Sequence, residues 1–388
     1  MFLFSEDLKA FQDVLRKMLA RELPPAVLKS FLQDGDNDSI RNSRLVHTEL
    51  LRSLWLRLGE FGAFSSGVPE AVDGLGLGLP AMHIVLLEGA RALVPLPIFE
   101  TIALGIVPLL HLAPGAGRDD LLKKAASGAL GISSPAGLFF PSLREKLPAI
   151  VPLQTPDGVS THAVSGHAEF VPSAEDVSVL LLSAPAASSG LAIYVLEMTA
   201  ENKGRVRFER IPTLDLVRPY YTLSFKNASC RLLGMLSQDA VSRVGKQIAF
   251  LTVSELLACA EQALALAKSH IGTRKQFGRP IGSFQAVQHK LADMLLKTEE
   301  AAALAEVAAA CAESDPAQFS FVSSALKAFA SECLPEVVEA SIQAHGGMGF
   351  TYEYELHLYL RRARMLAASA SDKSTSYVQV AETFLSRS

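Results

Sequence analysis

Apolar residues recur at helical spacing near the start of the chain, as Leu8, Phe11, Val14, Leu15, Met18 and Leu19 do. Such spacing lines one face of a helix, and it predicts helical structure as far as about residue 115. Pro24 and Pro25 end the first helix, and Asp34-Gly-Asp-Asn-Asp-Ser39 carries the chemistry of a polar turn. A second helix is predicted from Leu50 to Phe64, stopped near Gly62, and Gly74-Leu-Gly-Leu-Gly78 reads as an interhelix turn. Between about 120 and 230 the pattern becomes short apolar or alternating runs, such as Val177-Ser-Val-Leu-Leu-Leu182, Ala192-Ile-Tyr-Val-Leu196 and Thr222-Leu-Ser-Phe225. These strands follow one another without intervening helices, which predicts an antiparallel barrel or sandwich. Helical spacing returns from about 237, over 245–270, 284–313, 317–343 and roughly 352–384, and a four-helix bundle is its natural packing. Asp315-Pro316 starts the third of these, an acidic N-cap before Pro at the first helical position. The expected fold class is α+β in three domains: an N-terminal α-helical domain over 1–117, a middle antiparallel β-barrel or sandwich domain over 118–234, and a C-terminal four-helix bundle over 235–388.

Composition narrows the classes of function. A chain of 388 residues is too long for one compact core. Hydrophobic residues make up 49%, mostly Ala and Leu interrupted by charges, so no membrane span is expected. Glu6 and Asp7 follow a very short apolar start, unlike a secretory or transit peptide, and a cytoplasmic location is the expectation. The net charge of −4 has no basic block behind it, which argues against a nucleic-acid surface. Cys230, Cys259, Cys311 and Cys333 are widely spaced and read as buried, reduced thiols. The nine histidines include no metal-ligand spacing, so no metal is expected, and no nucleophile elbow or phosphate-binding Gly loop is present.

Two strings carry the candidate chemistry. Arg274, Gln276, Phe277, Gly278 and Pro280 form a breaker-rich connection between two long helices, and Phe284-Gln285 opens the second. Taken alone, this could be only a bundle turn. The whole stretch Lys268–Met294, however, resembles the signature of the acyl-CoA dehydrogenase family of flavoproteins, R-x-x-F-G-x-P-I-x-x-F-Q-x-x-Q-x-x-x-A-D-M, at nearly every position. A second match, Gln343-Ala-His-Gly-Gly-Met-Gly-Phe350, resembles the family's Q-x-x-G-G-x-G-[FY]. Glycine there permits close backbone approach to a phosphate, or alternatively caps a helix. Weaker echoes occur at Val68–Gly76 with Glu88 following, at Val164–Pro172 and at Leu214–Pro219. The resemblance implies the family fold and FAD as cofactor. It assigns cofactor contacts to Arg274, Gln276, Phe277, Phe284, Gln285, Gln343, Gly346 and Gly347, reaching across a subunit interface to the flavin of a neighbour. A guanidinium suits phosphate oxygens because its donors form a planar fork.

The chain departs from the family where a subunit serves its own site. The family's base, a Glu that removes the proton α to the thioester while hydride passes from the β carbon to the flavin, falls on Ala370. The alternative base position on the first bundle helix falls on Ile248, and the Arg that commonly lines the acyl-CoA pocket falls on Ala249. The T-E-P string that hydrogen-bonds the flavin is reduced to Ser133-Ser-Pro-Ala-Gly137, and Trp-Ile-Thr is replaced by Val171-Pro-Ser173. A gap of two residues would bring Asp372 near the base position. Glu255 and Glu261 lie on the first bundle helix, but a non-matching helical phase would turn them elsewhere, as solvated or interface carboxylates.

Groups that serve a neighbour are thus retained while those that serve the chain itself are lost. This implies a non-catalytic subunit of a heterotetrameric acyl-CoA dehydrogenase, completing the FAD site of a homologous partner that carries the catalytic Glu and binds most of the acyl-CoA substrate. Electron-transferring flavoprotein is the expected electron acceptor. The alternatives are a self-sufficient dehydrogenase using a non-standard base such as Asp372, a flavin monooxygenase of the same fold, and a flavin-free scaffold.

Overall fold

The structure, a computed structural model, describes residues 5–24, 47–135, 137–139, 148–153, 161–186, 190–352, 354–371 and 373–385. Helix α1 (Glu6–Glu22) begins at Ser5, whose side chain accepts from the Leu8 amide, as an N-cap should. Helix α2 (Thr48–Phe61) ends at Gly62 with φ 89°, the left-handed C-cap that favours glycine. Helix α3 (Gly78–Arg91) is buried over nearly its whole length. A segment that is π-helical over Glu100–Ile106 runs into a final α turn to form α4 (Glu100–Leu110), and α5 (Ala116–Ala126) follows. The predicted turn Asp34–Ser39 lies outside the described residues.

The middle region is one seven-stranded sheet: β1 (Ile132–Ser133), β2 (Ala149–Leu153), β3 (Thr161–Pro172), β4 (Val179–Pro185), β5 (Leu191–Glu197), β6 (Val206–Ile211) and β7 (Tyr220–Leu236). Its order is β1-β4-β5-β7-β3-β2, with β6 also on β7. The long β7 organises it, pairing β6 with its first half, β5 with its second, and β3 along much of its length. The expectation of a purely antiparallel domain needs one correction, because β1 runs parallel to β4 through Ile132↔Val179 and Ser133↔Leu180. A parallel neighbour requires a long crossover, and the β2–β3 hairpin lies within it. Alternate residues of β4 face opposite cores: Val179 and Leu181 join the large core shared with the helices, whereas Leu180 and Leu182 join a core on the other face. Burial on both faces explains why this strand reads as an unbroken apolar run.

The C-terminal helices are α6 (Gln238–Thr273), α7 (Gln285–Cys311), α8 (Pro316–His345), α9 (Leu356–Ala368) and α10 (Lys373–Leu385). Asp315 caps α8 by accepting from the Gln318 amide at 2.9 Å. The predicted fourth bundle segment is in fact two helices, broken at Ser369–Ser371, where Ala370 adopts φ 65°. The most apolar 18-residue window of α6 has hydropathy 1.5, long and apolar enough by composition for a bilayer, contrary to the expectation from sequence. That window is 78% buried against the chain's own elements, as a bundle's central helix would be. Cys230 and Cys259 are buried thiols, while Cys311 and Cys333 are only half-buried.

Candidate functional site

The two signature strings come together at one end of the bundle. The connection from α6 to α7 is a small hairpin, β8 (Lys275–Gln276) against β9 (Arg279–Pro280), with Phe277 and Gly278 at its tip. Both tip residues have positive φ, 52° and 80°, as the right-handed twist of a two-residue hairpin turn demands. Glycine meets that requirement without strain; Phe277 does not, and its ring is 91% exposed. The guanidinium of Arg279 sits 4.2 Å over the Phe284 ring, which meets Phe277 edge-on at 6.1 Å. The second string ends α8 next to this hairpin. Lys290 of α7 donates to Gln343 of α8, and the His270 ring at the end of α6 stacks on His345 at 4.3 Å.

Arg274, Gln276, Phe277, Gln285, Gln343, Gly346 and Gly347 are all exposed on this end, and Phe284 is half-buried. Gly346 is the C-cap of α8, with φ 63° and ψ −143°, so the helix-capping role does apply to it. Gly347 differs: its φ is not positive, and a Cβ there would have no atom within 4 Å. Nothing among the described residues therefore demands glycine at 347. Met348, Phe350 and Tyr352 extend the patch with three more exposed large side chains.

Neither residue expected at a family base position is exposed. Ile248 is 1% exposed on α6, and Ala370 is half-buried in the break between α9 and α10. Asp372 lies outside the described residues. Glu255 is not the solvated or interface carboxylate that helical phase suggested. It stands seven residues after Ile248, close to two turns along the same face of α6, and is 3% exposed. Arg218 Nη2 donates to both its oxygens at 2.7 and 2.9 Å, and Arg362 Nη2 of α9 donates at 2.9 Å. Arg218 Nε also pairs with Glu100 of α4 at 2.9 Å, and Arg362 lies 3.5 Å from Asp215. Glu261 is half-buried and ion-paired to Arg91.

This lattice joins α4, the β6–β7 connection, α6 and α9. Burial pulls the Arg218 value down, but Glu255 and Glu100 outweigh it and hold the guanidinium above its ordinary range. Burial pushes the Glu100 carboxyl up despite the neighbouring Arg218. Of the serines in the strings that resemble flavin-bonding segments, two are bonded within the chain, whereas the buried Ser134 hydroxyl has no hydrogen-bond partner among the described residues. Ser133 Oγ donates to the Pro172 carbonyl at 2.6 Å, and Ser173 Oγ donates to Glu100 at 3.0 Å. Val171, Ser133 and Ser173 are all buried. Sequence reasoning missed the lattice because no motif links residues 100, 215, 218, 255 and 362.

Residues 5–129 match the acyl-CoA dehydrogenase N-terminal domain, and residues 248–370 match the acyl-CoA dehydrogenase C-terminal domain. Acyl-CoA dehydrogenase IpdE2 of Mycobacterium tuberculosis is 30% identical over 315 residues, spanning 80% of each protein. The chain belongs to the acyl-CoA dehydrogenase family. Among solved structures, the Tcur3481-Tcur3483 steroid acyl-CoA dehydrogenase G363A variant superposes with a TM-score of 0.78 at 24% identity, covering 98% of each chain. The ChsE4-ChsE5 complex from Mycobacterium tuberculosis has a TM-score of 0.77 at 20% identity and covers 99% of each chain. At these identities the likeness establishes the fold.

Proposed function

We propose that this chain is the non-catalytic subunit of an FAD-dependent acyl-CoA dehydrogenase, lending one face of a flavin site to a homologous partner that carries the catalytic carboxylate. The observation that carries this reading is the contrast between the two residue sets. The retained residues Arg274, Gln276, Phe277, Gln285, Gln343, Gly346 and Gly347 are exposed, whereas Ile248 is buried, Ala370 is half-buried, and neither carries a carboxylate. A base must come within hydrogen-bond reach of the proton it removes, and neither Ile248 nor Ala370 can accept one. Glu255, the buried carboxylate on the same face of α6 as Ile248, is already clamped between Arg218 and Arg362.

The outward face fits a flavin phosphate presented by a neighbour. It offers an exposed guanidinium fork at Arg274, open space at Gly347, and amide donors at Gln276 and Gln285. Two of the inward positions do not fit a flavin of the chain's own, because Ser133 and Ser173 are already bonded within the chain. Bound FAD would supply the hydride acceptor, with acyl-CoA held mainly by the partner and electrons leaving to electron-transferring flavoprotein. Two solved structures of the same fold carry two protein names each, Tcur3481-Tcur3483 and ChsE4-ChsE5, which favours pairing of unlike subunits.

Visible absorbance of the chain purified alone and purified with a base-bearing homologue tests this. The chain alone should be colourless, and the complex should carry about one FAD per pair of subunits. A fully flavinylated complex of this chain with itself would overturn the proposal.

A further inference from the structure

The two flavin-facing segments touch through a pair of imidazoles. His270 lies in the last turn of α6, four residues before Arg274, and His345 is the last residue of α8, immediately before Gly346. Their rings stack at 4.3 Å with 27° between planes. His345 is 5% exposed and held on both nitrogens. The carbonyl of Ser341 lies 2.8 Å from Nδ1 and can only accept, so Nδ1 carries the hydrogen, and in the neutral ring Nε2 accepts from the Tyr354 hydroxyl at 3.1 Å. The stack therefore has one ring fixed in tautomer and orientation and a second ring laid against it.

We propose that the His270–His345 stack is a positioning element for the flavin-facing surface, and that a second positive charge on it separates the Arg274 segment from the Gly346-Gly347 segment. This deepens the flavin-completing role and rests on it. A stack can hold one proton favourably, since a cation over a neutral ring is attracted to it and the helix C-termini of α6 and α8 both favour positive charge. Two imidazolium rings at this separation repel, with only partial screening by solvent.

Among the described residues, the surroundings supply little negative charge to relieve that repulsion. From α6 the stack meets Arg274; from the segment leading into α9 it meets the Tyr354 hydroxyl, with Glu355 beside that tyrosine. From α9, His357 bonds the Tyr354 carbonyl at 2.8 Å and Arg361 lies by it, and from α7 Lys290 reaches Gln343, two residues before His345. Burial, then His345 and Arg274, hold the His270 imidazole below its ordinary value.

Substitution of His270 separates charge from stacking, because Phe or Tyr at 270 keeps a ring against His345 but cannot be protonated. In the complex with a base-bearing homologue, FAD affinity should fall at least about tenfold between roughly pH 7 and pH 5, and His270→Phe should remove most of that fall while leaving affinity near neutral pH unchanged. A parallel loss in wild type and His270→Phe would overturn the proposal. A second readout needs no flavin: histidine side-chain NMR of the chain alone should show the His270 midpoint rising when His345 is replaced by Gln. An unchanged His270 midpoint would equally overturn it. Should the complex prove colourless at neutral pH, the flavin-completing role falls, and the NMR titration still decides whether the two rings are coupled.

Discussion

At position 277 a phenylalanine holds φ 52° with its ring almost wholly in solvent, so the chain bears the strain of that backbone for little more than an edge-on contact with Phe284. Phe277→Gly should therefore leave the chain's own stability unchanged or raise it by about 1 kcal/mol, as followed by thermal denaturation. The same variant should weaken FAD binding in the complex, because the exposed ring is lost to the partner's site. Ala370, where the family's base is expected to fall, is strained as well, at φ 65°. Ala370→Glu restores the family residue in name, yet leaves Ile248, Ala249 and the altered flavin-bonding strings as they are. Acyl-CoA should not bleach flavin in an assembly whose only carboxylate at a family base position is that Glu, a result read directly from visible spectra.

Helices and strands were legible in the sequence because each buries a periodic face: Leu15 and Leu19 on α1, and the two-sided Val179–Leu182 run on β4. The break between α9 and α10 was not, since Ala367-Ala-Ser-Ala-Ser371 has no Gly or Pro to mark it. The lattice between elements was equally hidden, because Glu100, Arg218, Glu255 and Arg362 acquire meaning only when four distant segments meet. Glu255→Ala should lower stability by about 3–5 kcal/mol by removing the carboxylate that two buried guanidinium groups share. Pairing it with Arg362→Met should recover part of the loss, as read by urea denaturation. His83 of α3, 2.7 Å from Ser254 of α6, gives this junction a pH dependence. Burial presses its imidazole down to about 4, so it is neutral in the fold while the unfolded chain takes up a proton below the ordinary value of 6.5. Stability should then fall as pH drops from 6.5 toward 4, by on the order of 3 kcal/mol, and His83→Gln should flatten that dependence.

At the scale of the whole molecule, the family and its three-layer arrangement of helices, sheet and bundle could be read from two strings because each sits where the fold needs breakers and small residues: a hairpin tip and a helix end. Which way those strings face could not be read, since a signature has no inside or outside until the bundle is assembled. The structure turns Arg274 and Gln285 to the surface. If they act on a partner's flavin, their loss should appear as release of cofactor rather than as slower chemistry. A charge-assisted hydrogen bond contributes about 1.5–3 kcal/mol, so Arg274→Ala should weaken FAD retention by the complex about 10- to 100-fold. Arg274→Lys should fall between, because an ammonium keeps the charge but loses the planar fork. Turnover per bound flavin should stay at the wild-type value in both variants when FAD is supplied in excess. A drop in that value with cofactor fully bound would instead place Arg274 in the reaction itself, and would contradict a role confined to holding the partner's cofactor.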